Sequence, residues 1–278
     1  MRRPALWLCG LLVAGVGVTV GVGEWRHAAA QSADWIGANV NGMHYEVLLP
    51  EHYRPTTRYP VVLYLHQLAM GNYRDGLRKQ VNGWFNTLAF RSRHPSIVIV
   101  PMLDQSEDPG GRTVNFGGKR AGHAGEDNAI AALREVGGRY LIDAHRIYVT
   151  GNSMGGMGTW QMLLDYNSRT GSKGHLFAAG LPLAGAQRTA DPEQAAEALR
   201  QVPIWAIHGA QDHEVSLDWD RAMARLLSAS PRFRYTEVPG VGHDVWDSYY
   251  VRQDVWDWLF ANASQLSKPT LSGKTNSS

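Results

Sequence analysis

The sequence predicts an α/β fold: a mostly parallel central sheet with helices on both faces, built as a single domain. Three observations carry this expectation. Short apolar runs alternate with amphipathic stretches from residue 40 to residue 261. Most of the runs are continuous and rich in β-branched residues, the pattern of strands covered on both faces. No internal repeat and no linker-like segment divides the series. With 44% hydrophobic and 19% charged residues in 278, the chain has material for a large core, which excludes wholesale disorder.

In chain order the expected strands are Tyr45–Leu49, Tyr59–His66, Ser96–Leu103, His145–Gly151, Phe177–Ala184, Val202–Gly209 and Phe233–Pro239. The expected helices are Leu77–Phe90, Glu126–Tyr140, Met154–Tyr166, Pro192–Gln201, Ser216–Ser228 and Tyr249–Phe260. Parallel neighbours need a crossover between them, and these helical stretches supply it. Asp104–Ala124 lacks periodicity, is rich in Gly, Arg and Asp, and is expected to form a long loop over the sheet. The Ser/Thr/Lys/Gly-rich end is expected to be disordered. The domain is therefore placed at residues 31–262, with a tail at 263–278.

Residues 1–30 read as a leader. Arg2 and Arg3 are followed by an uncharged stretch from Pro4 to Gly23, strongly apolar at Leu6–Val13, and then by Ala28-Ala29-Ala30. A basic start, an apolar middle and a small-residue end are the order of a secretory signal peptide. The alternative is an uncleaved anchor, because about twenty uncharged residues suffice to span a bilayer. Cleavage near Ala30 is expected, with the remainder secreted or periplasmic and no stable membrane partner.

Arg2, Arg3 and Arg26 against Glu24 account for the whole formal charge of +2, leaving residues 31–278 balanced at 24 basic and 24 acidic groups. That balance lacks the basic surplus that replaces phosphate counterions, so no nucleic-acid partner is expected. The single cysteine, Cys9, lies in the leader. The mature chain can then form neither a disulfide nor a thiolate metal site. No H-E-x-x-H occurs and the acidic residues do not cluster with histidines at ligand spacing, so neither metal nor cofactor is expected.

Gly151-Asn152-Ser153-Met154-Gly155 is a G-x-S-x-G run at the end of one expected strand and the start of a helix. In that context the strand must turn sharply, which exposes Ser153 Oγ at a helix N-terminus, where developing negative charge is favoured. A serine hydroxyl is a weak nucleophile and needs a base and a group that orients the base. In this arrangement the acid and the histidine follow the serine on later loops, in that order. Asp212 lies just beyond Val202–Gly209, and His243 just beyond Phe233–Pro239. His243 would take the Ser153 proton and return it to the leaving group, while Asp212 would hold its tautomer. Among competitors, His213 reads as a surface residue and His208 as a satisfied core histidine. Glu214, Asp218, Asp244 and Asp247 read as surface charges or helix caps.

The strand starting at Tyr59 ends Tyr64-Leu65-His66-Gln67-Leu68. A backbone N–H after this strand and one after the nucleophile would point at the carbonyl oxygen. Met154 supplies the second, Gln67 or Leu68 the first, and His66 reads as a brace for the loop.

These residues carry a resemblance. The stretches Tyr59–His66, Arg146–Gly156, Pro203–Asp212 and Val238–Trp246 are similar to those of the α/β-hydrolase superfamily. Within it, they resemble the secreted bacterial esterases grouped with polyhydroxybutyrate depolymerases, feruloyl esterases and prolyl-oligopeptidase-like peptidases. The resemblance implies cofactor-free hydrolysis of carboxylic esters through an acyl-serine, with Ser153, Asp212 and His243 as the triad. One departure is plain: such relatives carry His-Gly at the oxyanion loop, whereas this chain has His66-Gln67. A glutamine there either tolerates ordinary backbone or adds a polar side chain to the hole. Leu68 matches the donor position of related enzymes that read Leu-His-Gly-Leu.

Ten tryptophans and eleven tyrosines are many for this length. Trp160, Trp205, Trp219, Trp246, Tyr249 and Tyr250 all lie near the expected site in sequence. Trp160 and Trp246, with His123 from the long loop, are candidates for gripping an aromatic or polymeric ester; the other reading of these rings is core packing. No long apolar insertion suited to a lid lies between the late strands, which favours short-acyl, aryl or polymeric esters. A serine peptidase with the same triad and a non-catalytic binding protein on this scaffold are the alternatives.

Overall fold

The computed structural model describes residues 35–68, 73–103, 116, 125–167, 175–187 and 191–264. The leader, the candidate His123 with most of its loop, and residues 265–278 lie outside them.

Among the described residues one eight-stranded sheet forms the centre. Its strands are β1 (Ile36–Val40), β2 (Met43–Leu48), β3 (Tyr59–Leu65), β4 (Ile97–Met102), β5 (Ile142–Asn152), β6 (Ala179–Leu183), β7 (Ile204–Gly209) and β8 (Phe233–Val238). Their order across the sheet is β1-β2-β4-β3-β5-β6-β7-β8. The β1–β2 and β2–β4 pairs are antiparallel and the remaining pairs parallel.

The helices divide between the two faces because side chains alternate along each strand. Val61, Leu63 and Leu65 of β3 enter one core, which also holds residues of α3 (Gly125–Arg139), α4 (Met154–Asn167), α5 (Pro192–Leu199) and α6 (Asp218–Leu226). Val62 and Tyr64 enter the other, with residues of α1 (Tyr73–Phe85), α2 (Leu88–Arg93), α7 (Trp246–Tyr249) and α8 (Gln253–Phe260). Each such aliphatic side chain contributes about 1.5–3 kcal/mol relative to exposure. That burial on both faces is why the parallel strands read as unbroken apolar runs.

Three elements differ from expectation. Strand β1 was not foreseen. It pairs with β2 through a turn in which Asn41 and Gly42 both adopt positive φ, 49° and 82°, as a two-residue Asn-Gly hairpin requires. The helix expected at Leu77–Phe90 is two helices, because Thr87 Oγ1 accepts the Phe90 N–H at 3.2 Å and starts a new one. The helix expected at Tyr249–Phe260 is also two. Tyr250 is drawn into the core, where its hydroxyl meets Thr150 at 2.9 Å and its carbonyl accepts from Trp256 Nε1 at 2.8 Å.

Candidate active site

Ser153 stands between the last residue of β5 and the first of α4, with φ at +53°. A left-handed conformation costs a residue with a Cβ about 1–2 kcal/mol, and here it turns the chain from strand into helix within one residue. The turn is held by the Ser153 N–H on Leu183 O (2.9 Å) and the Met157 N–H on Ser153 O (2.9 Å). It also brings α4 against β3 so closely that a Cβ on Gly155 would lie 1.8 Å from Leu65 O. Met154, the candidate second oxyanion donor, is the first residue of α4.

The acid and histidine loops follow β7 and β8 and interlock. Ala210 and Gln211 donate their N–H groups to Val238 O and Val241 O, both at 2.9 Å. A Cβ on Gly209 would lie 2.0 Å from Gly242 O, so only glycine permits this approach. The structure thereby brings the three residues into one chain. His243 Nε2 is 2.8 Å from Ser153 Oγ, and His243 Nδ1 is 2.7 Å from Asp212 Oδ2. Asp212 Oδ1 accepts the N–H groups of Glu214 (2.8 Å) and Val215 (2.9 Å). Burial works against the Asp212 charge, but His243 and these two amides outweigh it and hold the carboxyl below its usual pKa. An ionised Asp212 requires Nδ1–H on His243, which leaves Nε2 to accept the Ser153 hydroxyl proton. Glu214 is exposed, with its carboxylate 3.9 Å from His243 Nε2. His213 is exposed as well.

His66 is fully buried and neutral. Its Nδ1–H donates to Gln67 O (2.7 Å) and its Nε2 accepts the Leu103 N–H (3.1 Å), tying the loop after β3 to the end of β4. Burial pushes its pKa down to about 4, against the opposing effect of the Gln67 carbonyl. The Gln67 side chain faces away from any oxyanion role: its Oε1 accepts from Asn152 Nδ2 (2.9 Å) and its Nε2 donates to Gln80 Oε1 (2.8 Å). Asn152 Oδ1 in turn accepts from the Tyr64 hydroxyl at 2.6 Å. Leu68 lies beyond this anchor with its side chain 46% exposed.

Behind the acid lies a second histidine. His208 Nε2 is 3.1 Å from Asp212 Oδ2, and its Nδ1 is 2.8 Å from Asp220 Oδ2. Asp220 Oδ1 accepts from Trp160 Nε1 at 3.1 Å. Burial works against charge on His208, but the two carboxylates raise its pKa; burial pushes Asp220 up while His208 pulls it down. The sequence reading left Asp220 unremarked. Its signal was an aspartate flanked by Trp219 and Met223 on the buried side of a short amphipathic helix.

Trp160 is therefore not a substrate contact: it is fully buried, edge-on to Trp219 and bonded to Asp220. Trp246 is also buried and meets the His243 ring edge-on, with centroids 5.0 Å apart, so it packs against His243 rather than lining a cleft. Trp205, Trp219, Tyr249 and Tyr250 are buried too. Among the described residues, no group of three or more His, Cys, Asp or Glu side chains is disposed to hold a metal ion, and no helix is long and apolar enough to cross a membrane.

No protein-family model matches the chain, and no curated protein sequence matches it. Solved structures do match. A thermostable esterase superposes with a TM-score of 0.67 at 25% identity, over 83% of this chain. This chain spans 64% of that esterase's length. A ferulic acid esterase superposes with a TM-score of 0.61 at 18% identity, covering 82% of this chain and 96% of that one. The feruloyl esterase module of Clostridium thermocellum, complexed with sinapinate, gives 0.56 at 19% identity, covering 83% and 87%. The sheet order, the strand–serine–helix turn and these likenesses agree: the chain has the α/β-hydrolase fold.

Proposed function

We propose that the protein is a serine hydrolase of carboxylic esters that works through an acyl-Ser153 intermediate. The observation that supports this most is the unbroken hydrogen-bond chain from Ser153 Oγ through His243 to Asp212, starting at a serine held in a left-handed turn before α4. In this reading His243 Nε2 takes the Ser153 proton as Oγ attacks the ester carbonyl. Asp212 stabilises the imidazolium that forms, and His243 then protonates the departing alcohol. A water activated by the same nitrogen releases the acid. The backbone N–H groups of Met154 and of Leu68 or Gln67 receive the carbonyl oxygen as it gains charge; the anchored Gln67 side chain favours backbone donors over an amide side chain in the hole. No cofactor enters this cycle.

Short-acyl, aryl or polyester substrates are the class we favour. The connections from β6 to β7 and from β7 to β8 carry α5 and α6 among the described residues, short elements that leave little to build a lid. The ferulic acid and feruloyl esterase names among similar structures support the aryl choice. Export by way of the leader in residues 1–30 completes the proposal, and N-terminal sequencing of secreted protein tests that part.

Hydrolysis of p-nitrophenyl esters from acetate to palmitate, with Ser153→Ala alongside, tests the activity. Turnover of short esters with a dead variant is the expected result. Failure on every ester, or equal rates from Ser153→Ala, overturns the proposal.

A further inference from the structure

We infer that His208 is a positioning residue for the catalytic acid: it donates Nε2–H to the same Asp212 oxygen that holds His243, and Asp220 fixes the ring that does so. The inference rests on reading Ser153, His243 and Asp212 as the catalytic chain.

The hydrogen-bond geometry leaves His208 one role at Asp212. The 2.8 Å gap between His208 Nδ1 and Asp220 Oδ2 holds one proton. Whichever side that proton rests on, Nε2 is the protonated nitrogen that faces the Asp212 carboxylate. An imidazolium with two carboxylates, or a neutral ring with one carboxylic acid, leaves a single net negative charge in the buried cluster. The cluster thus carries the charge of Asp212 alone. Trp160 Nε1–H, at 3.1 Å, satisfies the second Asp220 oxygen.

Asp212 then accepts four N–H groups, two on each oxygen: Glu214 and Val215 on Oδ1, His243 and His208 on Oδ2. A carboxylate has about four acceptor sites, so its rotation is fully specified. His208 has a second effect, because it shares Oδ2 with His243. Removing its N–H leaves that oxygen's charge to His243, which makes the His243 imidazolium easier to form, and frees Asp212 to turn. Among the described residues, the other charged and titratable groups recorded near the cluster are Glu237 and Tyr235 on β8, tied to each other and to Arg221, and Glu214 beside His243. All of them are unchanged in the variants below.

His208→Asn and His208→Gln separate positioning from packing. The asparagine amide reaches where Nδ1 sits, and the glutamine amide reaches where Nε2 sits. The first reading is titration of the His243 ring by NMR in histidine-labelled protein, which needs no substrate. The second is kcat and KM on p-nitrophenyl acetate, per active site labelled by a fluorophosphonate. His208→Asn is expected to raise the His243 midpoint by roughly half a unit or more. It should also lower kcat by about ten- to a hundredfold, the range of a lost charge-assisted hydrogen bond, with KM little changed. His208→Gln is expected to restore most of both. An unchanged His243 midpoint in His208→Asn, or identical behaviour of the two variants, overturns the proposal. If His208→Asn does not fold, nitrogen-15 spectra of the wild-type ring decide: a protonated His208 Nε2 at neutral pH is expected wherever the proton shared with Asp220 rests, and an unprotonated Nε2 overturns the proposal. If the wild type hydrolyses no ester, the functional reading falls, while the ring titration still decides the part played by His208.

Discussion

Gln67 Oε1 accepts a hydrogen bond from Asn152 Nδ2 at 2.9 Å, joining the loop after β3 to the residue immediately before Ser153. The candidate oxyanion donors lie on the two segments this bond joins, Gln67 and Leu68 on one and Met154 on the other. The Gln67 side chain thus ties the loop after β3 to the turn that carries Ser153.

Gln67→Ala removes that bond and the one to Gln80. If the bond sets donor spacing, kcat on a short ester falls by about tenfold or more, less than the roughly 3 kcal/mol for deleting a donor outright, and KM moves little. A steady-state comparison with wild type checks this. Unchanged kcat would show that the backbone holds the loop without the side chain.

In the proposed cycle Ser153 and His243 share one proton transfer, so their losses should not add. Ser153→Ala and His243→Ala are each expected to lower kcat by roughly three or more orders of magnitude, and the double variant by little more. Rate measurements on the three variants check this. Multiplicative losses would mean that the two residues act independently.

The left-handed turn at Ser153 predicts that two replacements of this serine differ in stability. Ser153→Gly relieves the φ of +53°, whereas Ser153→Ala retains it. The glycine variant is expected to be more stable than the alanine variant by about 0.5–1 kcal/mol, the conformational relief less the added freedom of the unfolded chain. Urea denaturation of the two inactive variants measures the difference. Equal midpoints would mean that the turn is unstrained.

His66 sets an acid limit on the fold. Its folded pKa, about 4, lies below the ordinary 6.5, so the folded state binds fewer protons than the unfolded state between those values. The contribution is fully present above pH 6.5 and is lost as pH falls to 4, and protonation of Nε2 also forfeits the Leu103 N–H bond. Over that window the loss amounts to about 3 kcal/mol. His208 works with the opposite sign. Its carboxylate partners raise its folded pKa against burial, so its contribution is full below the ordinary value and declines as pH rises through the folded one. Thermal unfolding from pH 7 to pH 4 should show Tm falling in the wild type and a flatter profile in His66→Gln, whose side-chain oxygen still accepts from Leu103. Parallel profiles would place the acid sensitivity elsewhere.

The pattern of apolar runs determined the class of fold and the places of its parallel strands along the chain, because a strand buried on both faces must be largely apolar; their order across the sheet came from the tertiary structure. The Gly151–Gly155 spacing determined where the strand-to-helix turn at Ser153 falls, because two glycines around a serine between strand and helix serve that close packing. Strand β1 was missed although Asn41-Gly42 marks its hairpin and Ile36, Ala38 and Val40 alternate toward the core, because five residues ending at a turn make a weak pattern. The helix breaks at Thr87 and Tyr250 were not legible, since a capping hydroxyl and a tyrosine drawn into a core look like ordinary members of an apolar pattern. Tertiary structure alone decided what the polar and aromatic residues do. Trp160 turned inward because its N–H found Asp220, Gln67 turned to Asn152 across 85 positions, and His208 met Asp212 and Asp220 in one buried row. Buried polar groups must find partners, and the partners that the fold brings to them are distant in sequence or lie on different elements, where no local pattern records them.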